Sequence, residues 1–380
     1  MNIIVFQPEP LRQYPPTVSL LSILAEKYNV VFISCADNSG YTSFFKEKKI
    51  KNTDVIKKLR FRNGYFPALF ERYRNIKQLL QVISDNYSDE SIIWFTTDKA
   101  AVYLGNKMKD KRYIMQLMEL IQVEEVNNIF PLAKKVNLKK IAQKAKVLVS
   151  PEYNRSRIQS VWWDLKIPSR VLPNKQHLHP RTKNMNISDL GAKKIVEEIL
   201  STGKKIILYQ GVFHRQRSLG SFIKACERLS EKYIFLIMGM YTPAVEELLK
   251  LSPVVKHIPW IDAPMHLEIT SMANIGILSY LPGKFRYVSE LNALYCAPNK
   301  IYEYSGFGIP MLANDCPPLR TAFDHWNIGK IVDLNDIDSI ISGIDHIERN
   351  YSEMTSNCMD FFDSFNMHEI IDDIISTAKC

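Results

Sequence analysis

The sequence predicts an α/β protein of two Rossmann-like domains, each a parallel sheet wrapped by helices. Short apolar runs alternate with helical-period segments along all 380 residues, which is the pattern of a parallel sheet covered on both faces. The chain is longer than the roughly 250–300 residues at which a single hydrophobic core stops growing. A polar, proline-broken stretch, RVLPNKQHLHPRTKN (170–184), separates two such alternating sets.

In the first set the strand candidates are NIIVF (2–6), VVFISC (30–35), SIIWFTT (91–97), RYIMQL (112–117) and KVLVS (146–150). Helical spacing of apolar residues places helices over 17–28 and 67–84, and a weaker one over 132–145. In the second set the strands are IILYQ (206–210), IFLIMG (234–239), VKHIPW (255–260), IGILSY (275–280), PMLAN (310–314) and KIVDL (330–334). Helices are expected over 218–231, 243–251, 264–272, 299–306 and, last, 366–378. The expected domains are 1–175 and 204–361, with 176–203 as linker and a C-terminal helix (362–380) that is a candidate to pack back on the first domain.

Charge divides the same way. The net charge is +9, but residues 1–180 carry 29 Lys/Arg against 16 Asp/Glu, and residues 181–380 carry 20 against 24. The basic half is expected to meet something anionic: nucleic acid, a membrane surface or a phosphorylated substrate. No nucleic-acid-binding motif accompanies it, so nucleic acid is not the expected partner. Residues 46–62 (KEKKIKNTDVIKKLRFR) hold eight Lys/Arg and two acids, a composition suited to an anionic membrane surface. The six cysteines form no C-x-x-C pair, there is no signal-peptide pattern at the start, and no apolar run approaches ~18 residues. A reduced, cytoplasmic protein follows, peripheral at the inner membrane face at most.

Several chemistries are excluded. No G-x-G-x-x-G follows a strand, and the first βα turn, QPEPLRQYPP, contains no glycine, so dinucleotide binding is not expected. A Walker-type loop is missing too. Asp336 and Asp338 form a D-x-D, but at a helix start, where N-capping explains them. No metal site and no cofactor are expected.

Two segments remain. In LYQGVFHRQRSLGSFIKACERL (208–229) a strand ends at Gln210, Gly211 permits a tight turn, and Arg215 and Arg217 precede a helix. Unpaired N–H groups at a helix start, a positive dipole end and bidentate guanidinium groups all suit phosphate. In NALYCAPNKIYEYSGFGIPMLAND (292–315) Pro298 and Asn299 begin a helix, with Lys300 and Glu303 on one face. Glu303 can accept sugar hydroxyls and Lys300 can meet a phosphate; an exposed i,i+3 ion pair is the plain alternative.

Together with ANIGILSY between them, these blocks resemble the nucleotide-sugar glycosyltransferases of group 1 (family 4), over about 205–320. In the first half only the layout and VLPN (171–174) are similar. The resemblance implies a GT-B fold of two facing Rossmann-like domains, with a nucleotide diphosphate sugar on the C-terminal domain, the acceptor on the N-terminal domain, and reaction in the cleft. It implies that Arg217 grips the diphosphate, that Glu303 binds the ribose hydroxyls, that Asn299 and Lys300 match the family's P-N-K, and that the backbone at Gly211 lines the phosphate pocket. It also implies transfer with retention, in which Arg217 and Lys300 stabilise the leaving diphosphate. The acceptor is expected to be a lipid-linked glycan in cell-surface polysaccharide synthesis.

Met118, Val212 and Tyr295 stand where many members of the family have His, Arg and Glu. All eight histidines lie at 177 or later, so acid–base work in the first domain falls to Glu119, Asp98 or Glu124. These departures motivate the alternative, a non-catalytic scaffold or partner of a glycosyltransferase.

Overall fold

The computed structural model describes residues 1–34, 37–54, 65–108, 110–126, 135–213, 218–283 and 288–380, with the backbone course alone at 54, 65–72 and 105–106. The chain forms two compact units. The first comprises Met1–Pro173, Met367–Cys380 and, among the described residues between them, Val288 and Ser289; the second comprises 174–283 and Glu290–Asn366.

The first unit contains β1 (Asn2–Gln7), β2 (Asn29–Ser34), β3 (Lys51–Asp54), β4 (Ile92–Phe95), β5 (Tyr113–Gln116), a two-residue antiparallel pair β6 (Glu125–Val126) and β7 (Val136–Asn137), β8 (Val147–Ser150) and β9 (Ser169–Val171). Its main sheet is parallel, in the order β3-β2-β1-β4-β5-β8-β9. Alternate side chains go to opposite faces, as the pleat requires. Ile4, Phe6, Val31, Ile33, Ile93 and Phe95 enter one core, with Leu79 and Ile83 of the helix Tyr65–Asn86. Ile3, Val5, Val30, Phe32, Ile92 and Trp94 enter the other, covered by the helices Pro15–Lys27 and Met367–Lys379. Ile371, Ile374 and Ile375 of that last helix are buried there, which is why the C-terminus belongs to the first unit.

The second unit contains β10 (Lys205–Gln210), β11 (Tyr233–Met238), β12 (Val255–Ile258), β13 (Ile275–Leu278), β14 (Met311–Ala313) and β15 (Gly329–Ile331). Its sheet is also parallel, in the order β12-β11-β10-β13-β14-β15. The order reverses between β10 and β13, and a doubly wound sheet offers its ligand crevice at the carboxyl ends of the strands flanking such a point.

The stretch 176–203 differs from the expected linker. Its helix Leu190–Ser201 buries Ala192, Val196 and Ile199 in the second unit's core, so it is part of that unit. Asp336 caps the helix Ile337–Arg349, its carboxylate accepting the Asp338 N–H at 2.9 Å, as the capping reading expects. Among the described residues no helix is long and apolar enough to cross a membrane.

Candidate functional site

In the second unit the switch point is lined from β10, β13 and the helix Asn299–Ser305. β10 ends at Gln210, and Gly211 turns the chain with φ +123, a value that side-chain-bearing residues rarely adopt. The Tyr209 hydroxyl donates to the Val212 carbonyl at 2.9 Å and fixes the loop's exit. Arg215 and Arg217 lie outside the described residues. The helix they lead into begins at Gly220, and its cap residue Leu219 has no side-chain acceptor for the first N–H groups.

The helix Asn299–Ser305 starts after extended Pro298, as its sequence indicates. It seats closely on the sheet because position 276 is glycine: a Cβ there would lie 2.4 Å from the Tyr304 ring. The buried Tyr304 hydroxyl reaches across to the Leu208 carbonyl at 3.0 Å. This seating turns Glu303 inward and leaves Lys300 at the crevice. The Lys300 ammonium lies 5.3 Å from the centre of the Tyr209 ring and 5.4 Å from that of Tyr280, and a Cβ on Gly211 would be 3.4 Å from it. A cation held between two aromatic faces beside a glycine turn is placed to receive an anion that approaches the backbone.

Glu303 is only 5% exposed. Its Oε1 accepts from Gln176 Nε2 at 2.9 Å and stands 3.3 Å from His266 Nε2, and its Oε2 accepts from Gln210 Nε2 at 2.6 Å. Burial alone pushes the carboxyl up, but the His266 hydrogen bond and charge, Lys300 and the Gln210 amide together pull it below the ordinary range. The Gln210 amide is oriented by Thr270, whose hydroxyl lies 2.7 Å from Gln210 Oε1; the flipped amide would set oxygen against carboxylate. A carboxylate has about four acceptor positions. Three are occupied among the described residues, and the one left is on Oε2. Glu303 is therefore a braced, ionised acceptor with room for one more hydroxyl. Gln176, Gln210 and His266 escaped the sequence reading because their partner lies 127, 93 and 37 residues away.

The first unit carries its own polar cluster at the carboxyl ends of β1, β4 and β5. Glu119 follows β5, its side chain half exposed and 3.6 Å from Arg155, whose guanidinium also donates to the Met118 carbonyl at 2.7 Å. Asp98 is buried at the start of the helix Asp98–Leu104. Glu124 sits apart, paired with Lys139 at 2.8 Å. Glu9, in the glycine-free first turn, is a member that sequence reasoning missed. It binds Lys99 at 2.6 Å and accepts from the Tyr14 hydroxyl at 3.1 Å and Thr97 Oγ1 at 3.3 Å. The Tyr14 hydroxyl is raised by burial, then by Glu9, and more weakly by Asp98 and Glu119.

The expectation that the first domain lacks histidine needs one correction. The C-terminal helix brings His368 into the first unit, 2.9 Å from Glu26. Glu26 ends the helix that leads into β2, so this imidazole lies at the amino edge of the sheet, opposite Glu9 and Glu119.

No family model and no curated protein matches the chain. Solved structures do. HepE from Anabaena, crystallised with UDP and glucose, matches with TM-score 0.69 at 12% identity over 99% of both chains. The chain has the GT-B fold. Other GT-B structures align with similar completeness. A glycosyltransferase from Rickettsia africae matches with TM-score 0.67 at 12% identity, over 100% of this chain and 97% of that one. Sucrose-phosphate synthase from Thermosynechococcus elongatus matches with TM-score 0.64 at 14% identity, over 98% and 97%.

Proposed function

We propose that the protein is a nucleotide-sugar glycosyltransferase whose second unit binds the donor. The observation that carries this is the pairing of a braced, ionised Glu303 with Lys300 at the switch point of a doubly wound sheet, beside the turn at Gly211. Glu303 accepts a hydroxyl of the nucleoside. Lys300, with Asn299 and the Gly211 backbone, faces the diphosphate, and Arg215 and Arg217 supply further positive charge. Solved GT-B neighbours bound to UDP or UDP-glucose make UDP the first nucleotide to try.

In the reaction the acceptor oxygen bonds to the anomeric carbon as the carbon–oxygen bond to the diphosphate breaks. The acceptor proton passes to the departing phosphate oxygen, and the anomeric configuration is retained. Lys300 and Arg217 stabilise the charge that develops on the leaving diphosphate, which is the main catalytic contribution. Glu119, with Glu9 and Asp98, binds the acceptor's hydroxyls on the first unit. The basic first half serves a lipid-linked glycan acceptor at an anionic membrane face, in polysaccharide synthesis.

A thermal-shift screen with UDP, GDP, ADP and dTDP tests the donor assignment. At least one diphosphate should raise the melting temperature, and Arg217→Ala with Glu303→Ala should abolish the rise. Turnover separates enzyme from scaffold: an enzyme hydrolyses or transfers from the matching nucleotide sugar, whereas a scaffold binds without turnover.

A further inference from the structure

The segment 174–181 opens the second unit and is bonded repeatedly to the helix that carries Glu303 and to the last turn of Tyr351–Asp363. Asn174 Nδ2 donates to the Ala297 carbonyl at 2.9 Å, just ahead of that first helix. The Lys175 ammonium donates to the Phe362 and Phe365 carbonyls at 2.6 and 2.8 Å, closing the C-terminal end of Tyr351–Asp363. His179 Nδ1 accepts the Arg181 N–H at 3.1 Å, so the ring proton resides on Nε2, which donates to the Glu303 carbonyl at 3.1 Å. That ring fits because residue 306 is glycine; a Cβ there would lie 2.6 Å from it.

Between these anchors sits Gln176, 6% exposed, its amide donating to Glu303 Oε1. Its main chain is fixed on both sides, so the amide is held at a set position and angle. Removing it would leave Oε1 with the longer His266 contact alone. The carboxylate could then rotate and offer its remaining lone pair in a different direction.

We propose that Gln176 is a positioning residue for donor recognition. It fixes the Glu303 carboxylate so that the remaining acceptor position on Oε2 points at a ribose hydroxyl of the bound nucleoside. This rests on the reading of Glu303 as a nucleoside contact. It goes beyond that reading by assigning nucleoside discrimination to a residue far from the strand ends in sequence, which touches no donor atom itself.

The test measures dissociation constants of UDP, 2′,3′-dideoxy-UDP and inorganic pyrophosphate for the wild type and for Gln176→Met, a replacement of similar length without a donor. Wild type should prefer UDP over the dideoxy nucleotide. In the variant UDP should weaken about tenfold, the preference should collapse towards one, and pyrophosphate affinity should stay unchanged. The preference ratio is independent of the folded fraction, so partial unfolding does not mimic the result. If the variant keeps the wild-type preference, or loses UDP and pyrophosphate equally, the positioning role is overturned while the donor site stands. If wild type binds UDP without any preference over the dideoxy form, the nucleoside reading of Glu303 falls, and this inference with it.

Discussion

Lys300 is the described cation of the proposed donor site. Its ammonium faces two tyrosine rings and the Gly211 turn, and its charge helps hold the Glu303 carboxyl below the ordinary range. Lys300→Met retains most of the side chain's volume and removes the charge. It should weaken UDP at least about tenfold, as expected for loss of a charge-assisted phosphate contact. Equal UDP affinity in the variant would show that the phosphates lie elsewhere. His179 gives a separate prediction through pH. Burial pushes its imidazole down to about 4, against 6.5 for an unburied histidine. Between those values the unfolded chain holds a proton that the folded one lacks, so stability falls as pH drops through this window. Above it the residue adds no pH dependence. By pH 5 the loss from this group should be roughly 2 kcal/mol. Urea unfolding at pH 7 and pH 5 measures it, and His179→Gln should remove that part of the dependence; an unchanged difference would contradict the assignment.

The short helix Asn299–Ser305 transmits the sheet's geometry to the site, and Gly276 is where it makes closest contact. Gly276→Ala should cost about 1–3 kcal/mol, because neither β13 nor the Tyr304 ring can give way cheaply. UDP affinity should fall with it, since Tyr304 adjoins Glu303 in sequence. Trimming the ring with Tyr304→Leu in the same chain should make the two losses less than additive, and simple additivity would argue against the contact. At this scale the sequence was most legible where burial is apolar. All the strand candidates form, because they are apolar runs with polar ends. β3 was missed because its residues, KNTD, are hydrophilic, which an edge strand tolerates. The helix Tyr153–Trp162 was missed because it buries Arg155, Ser156 and Gln159 and shows no apolar stripe. The opening of the stretch 176–203, ahead of the apolar stripe of Leu190–Ser201, read as linker for a similar reason. Gln176 and His179 are buried through hydrogen bonds, and no composition rule marks such residues as interior. The site was legible only in part. Gly211, Lys300 and Glu303 stand in local motifs, whereas the groups that brace Glu303 come together only through the fold.

For the whole molecule the net charge of +9 is unevenly divided. The excess of cations belongs to residues 1–180, yet the proposed donor contacts lie in the half where acids outnumber bases. On the proposed function a few placed cations serve the diphosphate, and the basic half is assigned to the acceptor and its membrane. Lys46, Lys48, Lys49 and Lys51 belong to that basic stretch. Replacing all four with Gln should weaken sedimentation with phosphatidylglycerol vesicles at low salt, each cation contributing about 1 kcal/mol near the surface, and should leave UDP binding intact. Vesicle binding that ignores both salt and these substitutions would reject the membrane reading.

The central claim is that the second unit is a nucleotide diphosphate site built on Glu303 and Lys300. Calorimetric titration of UDP, GDP, ADP and dTDP into the wild type, Lys300→Met and Glu303→Ala tests it most directly. One nucleotide should bind wild type saturably with one site per chain, and both variants should weaken it about tenfold or more. Absence of binding by all four, or binding that neither substitution alters, would contradict the account.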